Sequence, residues 1–573
     1  KIPVFDFINA TAKYSTSYTW TRRPFAQEGI GNTIQNTNTK SLNGTFNMTT
    51  VYNKIPYFRK INSGVTGKAA NAKASKPKTA KDSAKAETVN PFKDIGEFLA
   101  KGLMMVKQVS LSYQQTNGTA LPGFFPSSQY MGLDPSQNMA PGIGFISGSN
   151  DSILRKSINN DWLVKNPNQS LPYTTTSTQN ITYRANVEPH GSLKIEFNGT
   201  KTYGRNESMF VRYDTAQLDN GNRGYLFETP NNTGNYSISV FTLGKSFKDK
   251  GNIKDGTSVL FDEFLLVRQD VARELAIANK TAIDEVQTDG TGNSYYDGYS
   301  KTQQDVLLGA FYQTYTGRKI KGVGTDKMFK QIPLPNWTVS WDGLGKIKMM
   351  KKYFQSITIR HAYRSTYSIG GFANNLLFVD NGDGYSSSRV PVQNSIIGGV
   401  QQSANFNPKY IIQGATITEA FSPLIKFDFR FKKPGWLANF EIKKDKTVNL
   451  NITGPQIIET KGQEYVVGIG YRFPNLIIKA FKIKGQPLKS DLNFKLDLSY
   501  RKNMTVIRRI VDEISTPTGG QNIITLKTAL DYQLTQAINL RFFYDWIRTT
   551  PQTSNSFPTA NTNAGFSLRF NLQ

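Results

Sequence analysis

Two-residue alternation of apolar and polar side chains, repeated from one end of the chain to the other, constrains this sequence more than any other feature. The last ten residues show it without a slip. Ala564, Phe566, Leu568, Phe570 and Leu572 fall on one side, and Gly565, Ser567, Arg569, Asn571 and Gln573 on the other. Strand side chains alternate between faces, so this is a strand with one apolar and one wettable side. At about ten residues it has the length of a tilted membrane-crossing strand. The same grammar recurs from Ala12 to Trp20, Leu42 to Met48, Val109 to Tyr113, Ile181 to Val187, Leu193 to Phe197 and Tyr236 to Thr242. It resumes at Ile357 to Tyr367, Ile411 to Thr418, Ile425 to Phe431, Ala438 to Ile442, Val448 to Ile452, Tyr465 to Phe473, Leu492 to Tyr500, Leu526 to Leu534 and Leu540 to Trp546. These runs predict about sixteen strands, an even number of the kind antiparallel membrane barrels have.

Such strands need either a protein core or lipid against their apolar sides. Hydrophobic residues make up 38% of the chain and aromatics 12%. The first figure is below the roughly 45–50% usual in globular proteins, which favours strands with one polar face. No apolar run approaches the ~20 residues of a membrane helix, and a closed barrel is the other backbone arrangement that satisfies its hydrogen bonds in lipid. Connection lengths point the same way. Short turns are expected at Glu188–Gly191, Ala420–Pro423 and Thr535–Ala537, and long loops at Gln114–Ser177, Ala373–Asn407, Ile507–Asn522 and Thr549–Asn563. The expectation is an all-β, antiparallel transmembrane β-barrel integral to an outer membrane, with long loops extracellular and the short turns and C-terminus periplasmic. A soluble, secreted all-β binding protein and a porin or plug-gated receptor closing alone are the alternatives. A barrel of the second kind would pair its first strand with its last.

Residues 1–57 are expected to be barrel strands, and residues 58–105 a flexible Lys/Ala-rich linker followed by a short helix near Pro91–Met104. The linker composition buries too little to order itself. Residues 106–245 return to barrel strands with long loops. Residues 246–353 change to helical period, with Leu260, Phe264, Val267, Val271 and Leu275 on one stripe and a second helix over Gln304–Tyr315. Loop parity puts this helical insertion on the periplasmic side with the linker. Residues 354–573 are barrel strands to the end. The first residues, Lys1-Ile-Pro-Val-Phe-Asp-Phe, lack the features of a signal peptide, so a mature chain or a fragment of something longer is expected.

The polar sides supply the candidate functional residues. Lys426, Asp428, Arg430 and Lys432 back the apolar run Ile425–Phe431, and Lys495, Asp497 and Arg501 back Leu492–Tyr500; with Arg569 they are the candidate lumen-facing set. Phe566, Leu568, Phe570 and Leu572 are the candidate lipid-facing residues of the terminal strand, and Trp20, Tyr544 and Trp546 are expected at the lipid interface. The formal net charge of +27 invites a nucleic-acid reading. Charge spread over strand faces and loops fits lipid phosphates, a lumen or acidic cargo better than a duplex.

Cysteine is absent, which removes disulfides and thiol chemistry. Only His190 and His361 are histidines, one in a turn and one in a strand, so neither a metal cluster nor a catalytic constellation is expected. No cofactor is implied, and the chain is read as a non-enzyme.

Ile332-Pro-Leu-Pro-Asn-Trp337-Thr-Val-Ser-Trp341-Asp-Gly-Leu344, followed by Ile359-Arg360-His-Ala-Tyr363-Arg-Ser-Thr-Tyr367, resembles the C-terminal part of the SprA/Sov family. Leu121-Pro-Gly-Phe124, Ala140-Pro-Gly142 and Gly468-Ile-Gly-Tyr-Arg-Phe473 match the same family, and the likeness extends over most of the chain. The resemblance implies the outer-membrane translocon of the type 9 secretion system of Bacteroidota, which also serves gliding motility. It implies that the chain is the C-terminal portion of a very large barrel that passes folded cargo proteins to the cell surface. Implied partners are the N-terminal part of the same barrel, secretion-system proteins that gate a side opening and the periplasmic end, the cargo, and lipid and lipopolysaccharide. The chain departs from typical outer-membrane barrels by ending Phe570-Asn-Leu-Gln573 in place of a terminal Phe or Trp.

Overall fold

The computed structural model describes residues 6–570 except 27, 63–101, 151, 219–220, 244, 246–250, 252–254, 282–285, 289–293, 320–323, 391–395, 398–399, 402–404, 434, 484–485, 535–537 and 553–555. Most of the predicted linker and its helix, the predicted turn Thr535–Ala537 and Leu572 therefore lie outside the described residues.

The alternating runs form one antiparallel sheet of 16 strands. In chain order these are β1 (Ile8–Thr21), β2 (Asn32–Asn47), β3 (Val106–Phe124), β4 (Tyr173–His190), β5 (Leu193–Met209), β6 (Asn231–Ser239), β7 (Asn336–Trp341) and β8 (Phe354–Asn374). They continue with β9 (Tyr410–Ile412), β10 (Gly414–Phe431), β11 (Trp436–Asn451), β12 (Gln456–Ile483), β13 (Gln486–Arg509), β14 (Ile514–Gln533), β15 (Ile538–Pro551) and β16 (Thr559–Phe570). Spatial order follows chain order from β1 to β16, and β1 and β16 are not paired with each other. The all-β, antiparallel class expected from the alternation is the class observed.

Register carries one apolar face across the sheet. Phe46, Val109, Ala185, Phe197 and Trp337 are successive cross-strand partners from β2 to β7. Phe440, Val467, Leu498, Leu526 and Trp546 are successive partners from β11 to β15. At the short-turn end of the strands most of this face is open among the described residues, with Ile357 covered by the turn at Gly345 and Tyr532 bonded to Leu476 O as buried exceptions. Leu111, Trp436, Val467, Leu498, Phe542, Phe566 and Phe570 are all exposed, Phe566 at 78% and Phe570 at 59%.

Several strands run further than their apolar residues do. β3 extends through Gln114–Phe124 and β4 begins at Tyr173, so the predicted loop Gln114–Ser177 shortens at both ends. Gln114–Thr119 and Thr174–Ser177 are polar on both sides, and Pro122 and Gly123 break the alternation beside the buried Leu121 and Phe124, so two-residue hydropathy alternation misses these segments. The predicted loop Ile507–Asn522 is likewise mostly strand, leaving only residues 510–513 between β13 and β14. The expected turn Ala420–Pro423 does not exist. β10 runs through it with a register shift between Phe421 and Ile425, so Ile411–Thr418 and Ile425–Phe431 belong to one line of strand.

The helical insertion is present, with α1 (Val259–Ala278) and α2 (Gln304–Thr316), but its place corrects the expectation. β5 pairs with β7 over Leu193–Asn198 and with β6 over Lys201–Ser208, so β6 and β7 lie end to end as one rung. The insertion interrupts that rung in mid-strand. Leu334 N donates to Ser239 O at 2.9 Å, closing the gap. Trp337 and Trp341 thus belong to the sheet wall, not to a helical domain reaching residue 353. The insertion packs Val271, Leu275, Phe311 and Tyr315 with Ile238, Tyr367, Ile417, Val448, Leu450 and Ile457. Those are the long-loop ends of their strands, opposite to the end where the linker leaves β2. Loop parity misplaced the insertion because parity assumes that insertions join strand ends.

Candidate functional site

Opposite the apolar face lies a charged one, and register assigns the candidate residues to it. Lys426 pairs with Glu441, Asp428 with Asn439, Arg430 with Leu437, Lys495 with Gly470, Asp497 with Gly468, Arg501 with Glu464 and Arg569 with Asn539. Lys432 stands just past β10, its backbone N–H donating to Tyr353 O. Seven of the eight candidates therefore share one face, with Lys432 at its rim.

On this face the charges form a chain of ion pairs crossing strand after strand. Arg360 of β8 lies 3.9 Å from Asp428, and Lys426 lies 3.8 Å from Asp428 and 3.6 Å from Glu441. Lys443 spans Glu441 at 3.9 Å and Glu464 at 3.6 Å. Arg501 reaches Glu464 at 3.5 Å and Asp445 at 2.9 Å. Lys495 pairs with Asp497 at 2.8 Å, and Arg541 with Asp531 at 3.7 Å. Charges of both signs keep the face wet but not adhesive: most are answered by a neighbour, Arg430 and Arg569 have no carboxylate within ion-pair distance among the described residues, and no large apolar patch is offered. Single exposed pairs of this kind stabilise little, about 0–1 kcal/mol each, so their role is surface chemistry more than stability.

Glycines make room for the charges. A Cβ on Gly462 would sit 2.5 Å from an Asp445 carboxylate oxygen and 2.7 Å from Arg501 Nη2. Its absence lets Arg501 reach across β12. Gly468 does the same between Asn439 and Asp497. A groove of about 720 Å³ runs over this region, lined by Arg360, Lys426, Asp428, Asn439, Lys495 and Asp497. Glu441, Lys443, Asp445, Glu464, Asp531 and Arg541 were not singled out from the sequence. For all but Asp445, which stands between Lys444 and Lys446, the signal was present, since each neighbours an apolar residue in an alternating run.

Phe566, Leu568 and Phe570 occupy the apolar face of β16 and are exposed. Tyr544 and Trp546 share that face on β15. Trp20 does not fit its expected place at a lipid interface. Its indole N–H donates to Pro126 O at 3.2 Å, so the β3–β4 loop covers it.

The family-motif residues divide between two settings. Trp337 and Tyr363 stack at 4.4 Å on adjacent strands, and the Tyr363 hydroxyl accepts from Thr242 N at 3.0 Å and donates to Glu419 at 2.7 Å. Tyr367 is buried against Tyr236 and Tyr312. These residues knit the insertion to the rung it interrupts. Trp341 is exposed on the apolar face, and Arg360 belongs to the ion-pair chain.

A second charged group sits beneath the insertion. Arg508, Glu459 and Lys446 all have 0% exposed side chains. Arg508 donates to Glu459 through Nε at 3.0 Å and Nη2 at 2.7 Å, to Ser515 Oγ at 2.9 Å and to Gly256 O. Lys446 reaches the other Glu459 oxygen at 2.8 Å. Buried charges of this kind are tolerable only when paired and hydrogen-bonded throughout.

Among the described residues no group of three or more His, Cys, Asp or Glu could hold a metal ion. His190 Nδ1 accepts from Ser192 N at 3.3 Å, and His361 Nδ1 lies 2.7 Å from Leu424 O, so both imidazoles are engaged locally.

No family model and no curated protein matches the chain. Among solved structures it is similar to the closed form of the ferric-catecholate import receptor Fiu of E. coli, at 8% identity and TM-score 0.24, covering 96% of this chain and 65% of that one. The RagAB peptide transporter matches at 8% identity and TM-score 0.28, covering 96% of this chain and 49% of that one. OmpT, an outer membrane protein of Vibrio cholerae, matches at 11% identity and TM-score 0.17, covering 70% of this chain and 92% of that one. The chain spans less than two thirds of the length of the first two.

Proposed function

We propose that this chain is part of the wall of an outer-membrane β-barrel, with the apolar face on lipid and the ion-paired face on a water-filled lumen that conducts folded proteins. The observation that carries the membrane reading is the apolar face running from β2 to β16, whose short-turn half is mostly exposed among the described residues. A soluble protein rarely leaves so large an apolar surface open. In β13 the apolar run from Leu492 to Tyr500 spans roughly 27 Å of strand at ~3.4 Å per residue, which suits the ~25 Å lipid-facing band of such barrels.

The translocon reading is supported by the resemblance to the SprA/Sov family and by the chemistry of the polar face. A surface of charges of both signs, most of them paired with a neighbour, lets a folded cargo slide past with its own hydration intact. Further strands of a larger barrel would cover the edges of β1 and β16, which are not paired to each other. Long loops face the cell surface and short turns the periplasm, with partner proteins gating the opening.

Because the chain has no cysteine, single cysteines test the faces directly. Leu498→Cys should react with a lipid-phase maleimide and Asp497→Cys with a water-soluble, membrane-impermeant one. A cysteine at Lys426 or Lys495 should cross-link to a folded protein in transit during export. A purified chain that stays in solution without detergent would overturn the membrane reading. Ion conduction by the chain alone, with no cargo cross-link, would favour a porin.

A further inference from the structure

The open part of the apolar face ends in cations on its long-loop side, just below Val448, Leu450 and Ile457, which the insertion covers. Across β11–β15 the row Ile442, Tyr465, Tyr500, Ile524, Arg548 is followed by the row Lys444, Gln463, Lys502, Asn522, Thr550, all on that face by register. One row further, Lys446 and Lys461 are neutralised by Glu459, at 2.8 and 3.1 Å. Lys444, Lys502 and Arg548 differ: among the described residues none has a carboxylate within ion-pair distance. The other end of the same strands carries Trp436, Tyr471, Phe473 and Tyr532 on this face. The band is therefore asymmetric, aromatic at one edge and cationic at the other.

Lys444 and Lys502 flank Gln463 from either side in one row. Two strand spacings put their backbones roughly 10 Å apart, and flexible four-carbon stems can bring both ammonium groups over the strand between them. Resting on the reading of this face as lipid-facing, we propose that Lys444 and Lys502 hold the phosphate of an anionic lipid, with Arg548 two strands beyond Lys502 as a further cation of the same rim. In the orientation given above, that lipid is a phosphorylated glycolipid of the outer leaflet. Cations at the rim of a hydrocarbon band carry a desolvation cost that snorkelling relieves in part, and a lipid phosphate at the same depth relieves it further. Charge complementarity and continuity with the apolar face favour a lipid as the occupant, since its acyl chains would lie along Tyr465 and Tyr500 while its phosphate meets the lysines.

The test uses the full chain in nanodiscs of phosphatidylcholine doped with bisphosphorylated lipid A or with its dephosphorylated form, reading retained glycolipid by native mass spectrometry. Wild type should retain the phosphorylated form selectively, and excess inorganic phosphate should not displace it. Lys444→Gln/Lys502→Gln should lower retention on the order of 30-fold, from about a fivefold contribution per lysine. Lys444→Arg/Lys502→Arg should restore it, which separates lost charge from lost folding. Lys495→Gln on the opposite face should have no effect. Equal retention by wild type and the double glutamine variant, or equal binding of dephosphorylated lipid, would overturn the site. Displacement by inorganic phosphate would reassign it to free anion. Failure of the wild type to enter nanodiscs would overturn the lipid-facing reading itself.

Discussion

Phe494, Lys495 and Leu496 are consecutive in β13 and point alternately to the apolar and the charged face. Polar substitutions there should have opposite outcomes. Phe494→Asp or Leu496→Asp places a carboxylate against lipid at a cost on the order of 2 kcal/mol and should reduce membrane assembly, whereas Lys495→Ser loses one exposed pair and should assemble normally. Heat-modifiable mobility in gels reads the difference, and equal tolerance at all three positions would reverse the faces. Asp134, in the β3–β4 loop, offers a pH test. Hydrogen bonds from the Ser136 hydroxyl at 2.6 Å and from Ser127 N at 2.9 Å hold its carboxyl below the usual range. A depressed carboxylate contributes stability that is complete above the unfolded value near 3.9 and is lost as pH falls through the folded one. Exchange of the Ser127 and Ser136 amides should therefore stay slow at neutral pH and accelerate only below about pH 4. Asp134→Ala should abolish that dependence and speed exchange roughly tenfold at neutral pH.

Among the elements, the interrupted rung separates what the sequence shows from what it hides. Alternation located the strands because each buries or exposes one apolar side over several residues, and the 3.6-residue stripe Leu260, Phe264, Val271, Leu275 located α1 for the same reason. Neither signal says where an element docks. β6 and β7 are one rung separated by nearly a hundred residues, a pairing made by long-range hydrogen bonds to Lys201 and Leu193 that leaves no local trace. The charged candidates were legible because their apolar neighbours fixed the alternation. The buried trio Glu459, Arg508 and Lys446 was not, since charged residues continuing a strand look solvent-facing until the insertion is seen to cover them. That trio should decide whether the insertion stays docked. Glu459→Gln strands two buried cations and should cost about 3–5 kcal/mol, read as protease cleavage within residues 240–335 while the sheet remains resistant. Simultaneous Glu459→Met, Arg508→Met and Lys446→Met should be milder, because no fully buried charge is left unpaired and Lys461, the remaining partner of Glu459, is 26% exposed.

For the whole molecule, the open edges matter most. β1 bonds only to β2 and β16 only to β15, so each leaves a line of backbone N–H and C=O groups without a partner strand. In water such an edge is an aggregation hazard; in hydrocarbon every unsatisfied group costs several kcal/mol. A membrane-embedded sheet of this kind must therefore close, either β1 upon β16 or both upon strands of another segment, and the second arrangement is the one a very large lumen requires. Engineered disulfides distinguish the two on a chain that has no native cysteine. Thr549→Cys with Thr559→Cys, cross-strand partners in β15 and β16, supplies the positive control and should oxidise readily in native membranes. Cysteines scanned along Thr11–Ser17 of β1 against Asn561–Ser567 of β16 should not join to one another, but should cross-link to neighbouring polypeptide. Efficient β1–β16 disulfides, with retained membrane insertion, would instead mean a self-closed barrel of modest bore, too narrow for folded cargo, and the ion-paired face would then line a solute channel.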